Sequence, residues 1–459
     1  MHFSYKNGPD YVFAFSCLSK SAIIGSGINF REVIRMKKLH YGWIVCISAM
    51  LLIFVTMGSV SNGFSVYLPY IMEKNGFTYS QTSTLVTLRC LFAFVSMLFI
   101  GAYYRKFSIR TGAAIAVLTA ALVFLIYGFS SSYFMFCVGS SLSGFSYGTG
   151  SMIPISILLN RWFSTNKALA ISIASAGSGL GPIVLSPLVT LLVETYSLRF
   201  AFFAETVGIL VLALIIILLM RNDPSDMGLQ PLGIEKNNIK DKIPSADALK
   251  EEKEKTPESI DSEDHYMPSR KVWLLICSVC LFMGAVSNPG FSHLSVHFKT
   301  EGFSAVNVAT ILTIAGIMLV GAKLVFGWVT DRTGGLKSGI LFLGILLAGH
   351  ILCCMAFTGS VPLAYLSSFT LGLGYPVCTI GISIWAGDMS SPSGYPTVVR
   401  RMQVTYAGGS FVFAIVPGLL ADTFGNYIPA YMVFSALLVV SIVLLPIAYR
   451  TSKKERTVI

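Results

Sequence analysis

Long apolar runs, separated by short polar or charged stretches, recur along most of this chain. A helix needs about 20 apolar residues to cross the hydrocarbon core of a bilayer. The pattern predicts membrane spans at residues 41 to 72, 80 to 103, 111 to 130, 133 to 160, 167 to 193, 198 to 220, 271 to 298, 304 to 329, 338 to 357, 361 to 387, 401 to 422 and 427 to 449. These spans use most of the length, so we expect an all-α membrane protein with twelve transmembrane helices and no separate catalytic domain.

Composition and charge agree with this prediction. Of the 459 residues, 54% are hydrophobic and 12% are charged, which is too apolar for an ordinary soluble domain. The formal net charge of +11 would suggest nucleic-acid binding in a soluble protein. Here, a cytosolic N-terminus puts 28 of the 33 Lys and Arg on the cytosolic side, leaving Lys74, Arg199 and Lys299 outside. Because cytosolic loops are enriched in positive charge, we predict that both termini are cytosolic and that the lipid bilayer, not nucleic acid, is the surrounding partner.

The predicted domains follow from one long polar insert. Residues 221–270 contain twelve acidic residues among Lys, Ser and Pro, a composition typical of a mobile linker. It divides the chain into two six-span halves, residues 41–220 and 271–450. Residues 1–40 form a cytosolic tail that we expect to be poorly ordered, and its first 35 residues are candidates for lying outside the native protein. Residues 451–459 form a short cytosolic tail.

The two halves are similar in sequence at an offset of 226 to 228 residues. Such repeats are typical of membrane proteins built from two related bundles. Four matches occur in the same order: Gly58-x-Val60-Ser61-Asn62 with Gly284-x-Val286-Ser287-Asn288, Gly76-Phe77 with Gly302-Phe303, Gly101-x3-Arg105 with Gly327-x3-Asp331, and Gly144-x2-Tyr147 with Gly372-x2-Tyr375. We therefore predict two pseudo-symmetric six-helix bundles.

Two such halves joined by a charged loop resemble the major facilitator superfamily of transporters. The segment from Gly327 to Gly334, with Asp331 and Arg332, is similar to the superfamily's loop signature between spans 8 and 9. The resemblance implies that Asp331 caps a neighbouring helix and pairs with an arginine. Gly327, Asp331 and Arg332 are therefore candidate gating residues. In the first half Arg105 replaces the Asp of the signature, and we include it as a fourth gating candidate.

A narrower resemblance is to the monocarboxylate porter group, which includes bacterial oxalate:formate antiporters. Three motifs carry it: His40-Tyr41-Gly42-Trp43, Asn160-Arg161-Trp162-Phe163 with the following Ala176-Gly177-Ser178-Gly179, and Gly418-x3-Asp422-x2-Gly425. The resemblance implies transport of small organic anions. We expect a functional monomer, because one twelve-span chain already contains a complete pathway. The expected location is a bacterial plasma membrane.

Two cations lie inside predicted spans, Arg89 in span 2 and Lys323 in span 8. A cation in the bilayer interior costs about 2.5 to 3.5 kcal/mol on insertion scales and is usually functional. Lys323 lies near the position where the porter group carries a substrate-binding cation, although that cation is commonly Arg. Pairing of Lys323 with a buried acid is the structural alternative. Arg89 has a neutral repeat counterpart, Ala315, and either attracts anions, extends toward the interface or pairs with Glu205.

Four further side chains are candidate substrate ligands. The superfamily resemblance implies that spans 1, 4, 7 and 10 line the cavity, and these spans carry Asn62, Tyr147, Asn288 and Tyr375 at matched depths. Their amides and hydroxyls are suited to a carboxylate at the midplane, and bonding between helices is the alternative. Weaker candidates are Tyr67, Trp385, Gln403 and Tyr406.

A proton or a counter-anion is a possible coupling partner. The carboxylate that many porter relatives place one turn before the span 8 cation is Leu319 here. Glu205, Asp388 and Lys323 remain as candidate proton carriers. His293 and His297 are four residues apart at the outer end of span 7, where hydrated interfacial histidines are the favoured interpretation and a zinc site would need a third ligand.

Three classes of function remain open. The first is a secondary transporter, a symporter or antiporter, of monocarboxylates or short dicarboxylates. The second is an exporter of drugs or amphipathic solutes, which a membrane-embedded acid such as Glu205 facing the cavity would favour. The third is a non-transporting metabolite sensor. We expect no enzyme, no catalytic residues, no cofactor and no metal, because no phosphate-binding glycine loop or catalytic cluster is recognisable.

Overall fold

The computed structural model describes residues 40–233, 268–391 and 394–458. Within these ranges twelve helices are long and apolar enough to span a membrane. In chain order they are α1 Tyr41–Asn75, α2 Tyr79–Lys106, α3 Ile109–Phe129, α4 Tyr133–Trp162, α5 Leu169–Thr195, α6 Leu198–Leu219, α7 Arg270–Ser292, α8 Ala305–Thr333, α9 Gly335–Cys354, α10 Val361–Met389, α11 Thr397–Phe424 and α12 Ile428–Glu455. The predicted number of spans is confirmed.

The predicted span boundaries agree with the observed helix ends to within six residues, and the largest differences occur at the ends of α7 and α12. Helix α7 ends at Ser292 and a separate short helix, Leu294–Thr300, continues to the predicted outer face. Helix α12 continues beyond the predicted span into a polar segment that ends at Val458. Thr78 begins α2 with a capping box in which Gln81 bonds back to the Thr78 backbone.

The beginning of the predicted linker is ordered. Leu232 forms an isolated β-bridge with Phe163, and its N–H donates to the Trp162 carbonyl over 2.9 Å. The Gln230 carbonyl lies 3.0 Å from the His40 ring nitrogen Nε2. Residues 221–233 therefore follow the first half closely, where the sequence suggested a mobile linker. The tail before His40 and residues 234–267, with most of the acidic insert, lie outside the described residues.

The structure reproduces the internal repeat at the level of helix contacts. A Cβ added at Gly144 in α4 would overlap with the Arg89 carbonyl oxygen in α2, and one added at Gly372 in α10 would overlap with the Ala315 carbonyl oxygen in α8. Gly144 and Gly372 are repeat partners, and so are Arg89 and Ala315. Each half thus uses one glycine to bring its second and fourth helices together, as small residues do in membrane proteins.

Another repeated glycine brings the first helix of each half against the fifth. A Cβ added at Gly181 in α5 would overlap with the Gly58 carbonyl of α1, and one added at Gly284 in α7 would overlap with the Tyr406 carbonyl of α11. Gly58 and Gly284 are the first residues of the longest repeat match. Close packing therefore accounts for the spacing of these glycines.

The two halves meet chiefly along two helix pairs, α5 with α8 and α2 with α11, and smaller contacts join α1 to α7 and to the helix Leu294–Thr300. At the first pair Gly179 and Gly316 face each other, because a Cβ on Gly316 would lie 2.9 Å from the Gly179 carbonyl oxygen. At the second pair a Cβ on Gly418 would overlap with Ser83 and lie 2.5 Å from the Tyr79 carbonyl oxygen. These contacts bring groups from both halves to one central boundary.

The packing of α1 on α5 predicts a difference between two glycine-to-alanine variants. Gly181→Ala places a methyl group against backbone that cannot rotate away, and we expect it to destabilise the folded protein by about 1 to 3 kcal/mol, the usual cost of overpacking. Gly208→Ala in α6 is the control, because a Cβ there meets nothing within 4 Å. Thermal unfolding in detergent should show a lower midpoint for Gly181→Ala only, and equal midpoints would contradict this packing role.

Candidate functional site

A cavity lies between the two halves. Its wall combines amide, hydroxyl and ammonium groups with apolar side chains. The lining residues come from α1, α4, α5, α7, α8, α10 and α11: Met57, Asn62, Tyr147, Ser178, Ser287, Asn288, Phe291, Leu319, Lys323, Tyr375, Cys378, Thr379 and Tyr406. Five of the six candidate substrate ligands lie in this wall, and Arg89 is the exception.

Lys323 is the cation of the cavity. Its Nζ donates to the Ser175 carbonyl over 2.9 Å and to the Ser178 hydroxyl over 3.0 Å. Both acceptors belong to α5, so Lys323 joins the second half to the first. Among the described residues no carboxylate pairs with Lys323, so the alternative of a buried ion pair is not observed. An ammonium group has three donors, and two of them are used by these neutral acceptors.

The repeated amides and tyrosines occupy different local environments. Asn62 donates to the Ser178 carbonyl over 2.9 Å, next to the contact that Lys323 makes. Asn288 accepts from Arg89 and Ser292. The Tyr375 hydroxyl is buried and has no hydrogen-bond partner within the described parts of the chain. Because buried hydroxyls are normally satisfied, Tyr375 is available to a polar group that enters the cavity.

Two widened helical turns border the cavity. Residues Phe54–Asn62 of α1 and Val377–Gly381 of α10 are π-helical. Insertions of this kind are rare and frequently occur at functional sites. They direct Met57 and Asn62 from one half, and Cys378 and Thr379 from the other, into the cavity wall.

Arg89 lies at the boundary between the halves, closer than Lys323 to the predicted outer face. Its side chain is 3% exposed. One terminal nitrogen donates to the Asn288 amide oxygen over 3.2 Å and to the Ser292 hydroxyl over 2.7 Å, both in α7. Arg89 therefore neither reaches the interface nor pairs with Glu205. These partners were not predictable from the sequence, because they lie in the other half.

Further contacts close the predicted outer face. The Ser83 hydroxyl of α2 lies 2.7 Å from His293 Nε2, and Ser295 donates to the Ser65 carbonyl. The Asp422 carboxylate accepts the backbone N–H groups of Tyr79 and Ser80 at 2.9 and 3.1 Å. A carboxylate at a helix N-terminus satisfies free donors and complements the helix dipole. Asp422 of α11 therefore caps α2 across the boundary.

The predicted cytosolic face carries the four candidate gating residues, and their expected contacts are not formed in this arrangement. Asp331 is exposed and, within the described residues, caps no helix and forms no ion pair. The guanidinium of Arg332 lies over the Trp328 ring, 3.8 Å from its centroid. A Cβ added at Gly327 would contact nothing within 4 Å, and Arg105 is exposed. The pairing of Asp331 with arginine that the loop signature implied is thus absent here.

The acidic candidates lie outside the cavity wall. Glu205 accepts hydrogen bonds from Ser59 and from the Tyr67 hydroxyl, the latter over 2.5 Å, all within the first half. Asp388 is exposed and accepts from the Tyr449 hydroxyl over 2.6 Å. Neither acid contacts Lys323 or Arg89. Because Ser59 and Tyr67 donate to the Glu205 carboxylate, the fold accommodates this acid without a cation.

The histidines of the α7 end are not hydrated interfacial groups, so that interpretation was wrong. His293 and His297 are both fully buried. His293 Nδ1 lies 2.8 Å from the Pro289 carbonyl, and His297 Nε2 lies 2.9 Å from the Cys353 carbonyl. The rings of Tyr427 and Tyr431 lie 5.8 Å and 4.5 Å from those of His293 and His297, a tertiary contact that the position at a span end did not reveal.

Of the four weaker lining candidates, Tyr406 lies in the cavity wall, whereas Tyr67, Trp385 and Gln403 do not. Tyr406 lines the cavity and its hydroxyl lies 2.6 Å from that of Ser287. Trp385 is buried and donates to the Gly335 carbonyl, and Gln403 is exposed. Ser175 and Ser178 were missed. No sequence motif marks a backbone carbonyl or a single serine hydroxyl as a partner of Lys323. The glycines of α5, which indicate close packing, could have pointed to this helix.

A model of the Major Facilitator Superfamily matches residues 49–375 of the chain. The chain belongs to the major facilitator superfamily. This superfamily member is therefore a multi-pass integral membrane protein and a transporter rather than an enzyme. The family that the loop signature and the repeat predicted is confirmed.

Relatives within the superfamily carry several transporter names. The chain is 24% identical to monocarboxylate transporter 12 of Rattus norvegicus, with 91% of this chain and 87% of that protein covered. It is 24% identical to the probable transporter MCH2 of Saccharomyces cerevisiae, with 84% and 75% covered. It is 22% identical to the glycerol-3-phosphate transporter of Bacillus subtilis, with 86% and 89% covered. The predicted likeness to monocarboxylate porters is confirmed.

Solved structures support the superfamily fold. The nucleoside transporter NupG has a TM-score of 0.66 at 13% identity, with 90% of this chain and 99% of that chain covered. A bacterial homologue of the human lysosomal transporter Spinster has a TM-score of 0.59 at 14% identity, with 90% and 96% covered. These likenesses establish the arrangement of helices.

The Asp422 cap predicts a change at the outer face of this superfamily protein. Asp422→Ala removes an interaction of about 0.5 to 2 kcal/mol, which corresponds to a roughly 2- to 30-fold shift toward states with separated outer ends. Spin labels at Ser131 and Phe357, exposed outer-loop positions in opposite halves, report this separation by pulsed electron paramagnetic resonance. We expect a larger population of long distances.

Thr423→Ala is the matched control for this prediction. Thr423 is exposed and bonds only to Leu419 of its own helix. An unchanged distance distribution in Asp422→Ala, or an equal change in Thr423→Ala, would contradict the role of Asp422 as a cap between the halves.

Proposed function

We propose that this protein is a secondary active transporter of small organic anions, chiefly monocarboxylates, that works by alternating access. The observation that carries the proposal is Lys323, a cation in the cavity wall whose partners in the described residues are a carbonyl and a hydroxyl. A charge held inside a membrane protein without a counter-ion marks a ligand or ion pathway by default.

The third donor of Lys323 gives an incoming carboxylate a charge-assisted hydrogen bond. Such bonds are shorter and about twice as strong as bonds between neutral groups. Lysine acts as a point charge rather than as the bidentate fork of arginine, so it tolerates carboxylates of different shape. Asn62, Asn288, Tyr147 and Tyr375 are the proposed additional ligands, because their amides and hydroxyls lie in the same wall.

The cavity wall also favours a short, singly charged substrate. Lys323 is the one cation among the lining residues, so a second carboxylate would be desolvated without a partner, which is costly. Met57, Phe291 and Leu319 provide apolar surface for a short carbon chain. The name of the rat relative, monocarboxylate transporter 12, agrees with this substrate class.

Alternating access requires contacts between the halves that form and break. In the described residues, the hydrogen bonds between the halves lie at Lys323, at the predicted outer face or, for Arg89 with Asn288 and Ser292, between the cavity and that face. With both termini in the cytosol, as the charge bias predicts, this arrangement faces the cytosol. A gradient or substrate exchange would supply the energy, in symport or antiport, and one chain contains the whole pathway.

The exporter alternative depends on an acid that faces the cavity. Glu205 was the candidate, but its partners are Ser59 and Tyr67 inside the first half, and it does not contribute to the lining. A cavity with a cation and no lining carboxylate disfavours cationic amphipathic solutes. A metabolite sensor would bind without flux, which the following experiment separates from transport.

Neutralising Lys323 should abolish anion transport. Purified protein in liposomes is assayed for uptake of formate, acetate, lactate, pyruvate, malonate, succinate and glycerol 3-phosphate. For Lys323→Gln we expect at least roughly a tenfold loss of monocarboxylate uptake, since removing one partner of a buried charged contact typically costs 2 to 5 kcal/mol. Lys323→Arg should retain part of the activity because it keeps the charge.

Lys337→Gln is the charge-matched control, because Lys337 is exposed at the predicted cytosolic face. This variant should transport like wild type. Equal uptake by wild type and Lys323→Gln, with both proteins folded, would refute the assignment of the site. Uptake of cationic dyes without carboxylate uptake would instead support the exporter.

The single cation also predicts substrate selectivity. Wild type should take up the monocarboxylates at least about tenfold more efficiently than malonate or succinate, the ratio expected when a second carboxylate costs 1.4 kcal/mol or more. Competition of each acid against a labelled monocarboxylate measures this ratio. Equal competition by monocarboxylates and dicarboxylates would require a second cation at the substrate.

A further inference from the structure

Arg89 is a buried cation that has no ion-pair partner among the described residues. Its side chain is 3% exposed, and no carboxylate of the described residues forms an ion pair with it. Its hydrogen-bond partners are the neutral oxygens of Asn288 and Ser292. Its Nε is buried and has no partner among the described residues. A guanidinium in this setting is under-compensated, because buried charges are normally paired with opposite charge.

The partners of Arg89 are present in only one arrangement of the two halves. Arg89 belongs to α2 of the first half, whereas Asn288 and Ser292 belong to α7 of the second. When the outer ends separate, these hydrogen bonds break together with the neighbouring contact between Ser83 and His293. Arg89 then faces the opening between the halves, and its donors need new acceptors.

A carboxylate fits the donors that are left. The guanidinium presents several N–H groups in one plane and binds a carboxylate through two parallel hydrogen bonds. Asn288 connects this position to the cavity, because it accepts from Arg89 and also lines the wall that contains Lys323. An anion that leaves Arg89 for Lys323 therefore passes the same asparagine.

We propose that Arg89 is a second carboxylate-binding residue, which the substrate meets while the outer face is open. Asn288 and Ser292 replace the substrate at Arg89 when the outer face closes, and the carboxylate then remains with Lys323. This inference rests on the proposed function as an anion transporter. It assigns the two cations that lie inside membrane spans to successive steps of one pathway, with Arg89 first for a substrate that enters from outside.

The alternative is that Arg89 only locks the outer face. The two roles predict opposite signs for Arg89→Gln. If Arg89 is only a lock, its loss raises the fraction of protein that is open outward, and the apparent affinity for outside substrate improves in proportion to that fraction. If Arg89 binds the carboxylate, its loss weakens binding from outside.

The test measures half-saturating substrate concentrations from each side. Right-side-out and inside-out vesicles are prepared from the same cells, and the probe is the labelled formate, acetate, lactate or pyruvate that wild type transports fastest. We expect Arg89→Gln to raise the outer value by about tenfold or more, as for a lost charged contact. The value from the cytosolic side should stay within about twofold, which also shows that the variant is folded.

Two further variants complete the test. Ser292→Ala removes a partner of the closed state but keeps the guanidinium, so its outer value should fall or stay unchanged. Arg89→Lys keeps the charge without the planar fork, so its outer value should lie between those of wild type and Arg89→Gln. If Arg89→Gln is inactive from both sides, Arg89→Lys decides by the same comparison.

The outcomes separate the failure of this inference from that of the proposed function. An unchanged or lower outer value in Arg89→Gln, with wild-type transport intact, would overturn the binding role of Arg89 alone. Absence of carboxylate transport by wild type in both vesicle types would overturn the anion transporter and this inference together.

Discussion

The arrangement of this protein depends on a cation that has no counter-ion in the described parts of the chain. Lys323 lies in the wall of the cavity between the halves, and its described partners are a backbone carbonyl and a serine hydroxyl of the opposite half. Neutral acceptors compensate a buried charge only in part. An anion that enters the cavity therefore gains more here than it would in a neutral pocket. The same lysine connects α8 to α5, so the proposed substrate-binding group also belongs to the contact between the halves.

Close helix packing makes this position possible. Gly179 and Gly316 bring α5 and α8 together near Lys323, while Gly58 and Gly284 do the same for the first and fifth helices of each half. Close glycine contacts pack helices both within and between the halves, and polar contacts between the halves accompany them. Those contacts are individually weak, which suits an alternation between two states of similar free energy. The Asp422 cap and the hydrogen bonds of Arg89 join the halves on the side of the predicted outer face, and no ion pair among the described residues does so.

The internal repeat and the side chains inside the membrane spans predicted much of this arrangement from the sequence. The matched depths of Asn62 with Asn288 and of Tyr147 with Tyr375 follow from the repeat, and all four line one cavity. Hydropathy predicted the twelve spans because the bilayer fixes helix length. Contacts between the halves were not predictable in the same way. The partners of Lys323 and Arg89 are distant in sequence, and the burial of His293 and His297 depends on tertiary packing. The expected pairing of Asp331 with an arginine is not formed among the described residues.

Ligand binding by purified protein tests the central claim most directly, because it requires neither a gradient nor a known direction of flux. The measurement is the thermal midpoint of wild type and of Lys323→Gln in detergent with formate, acetate, lactate or pyruvate, at increasing concentration. Stabilisation follows ligand binding by mass action. The account predicts that at least one monocarboxylate raises the midpoint of wild type in a saturable way and leaves Lys323→Gln unchanged. Equal stabilisation of both proteins, or stabilisation of neither, would contradict the claim that Lys323 is the anion site.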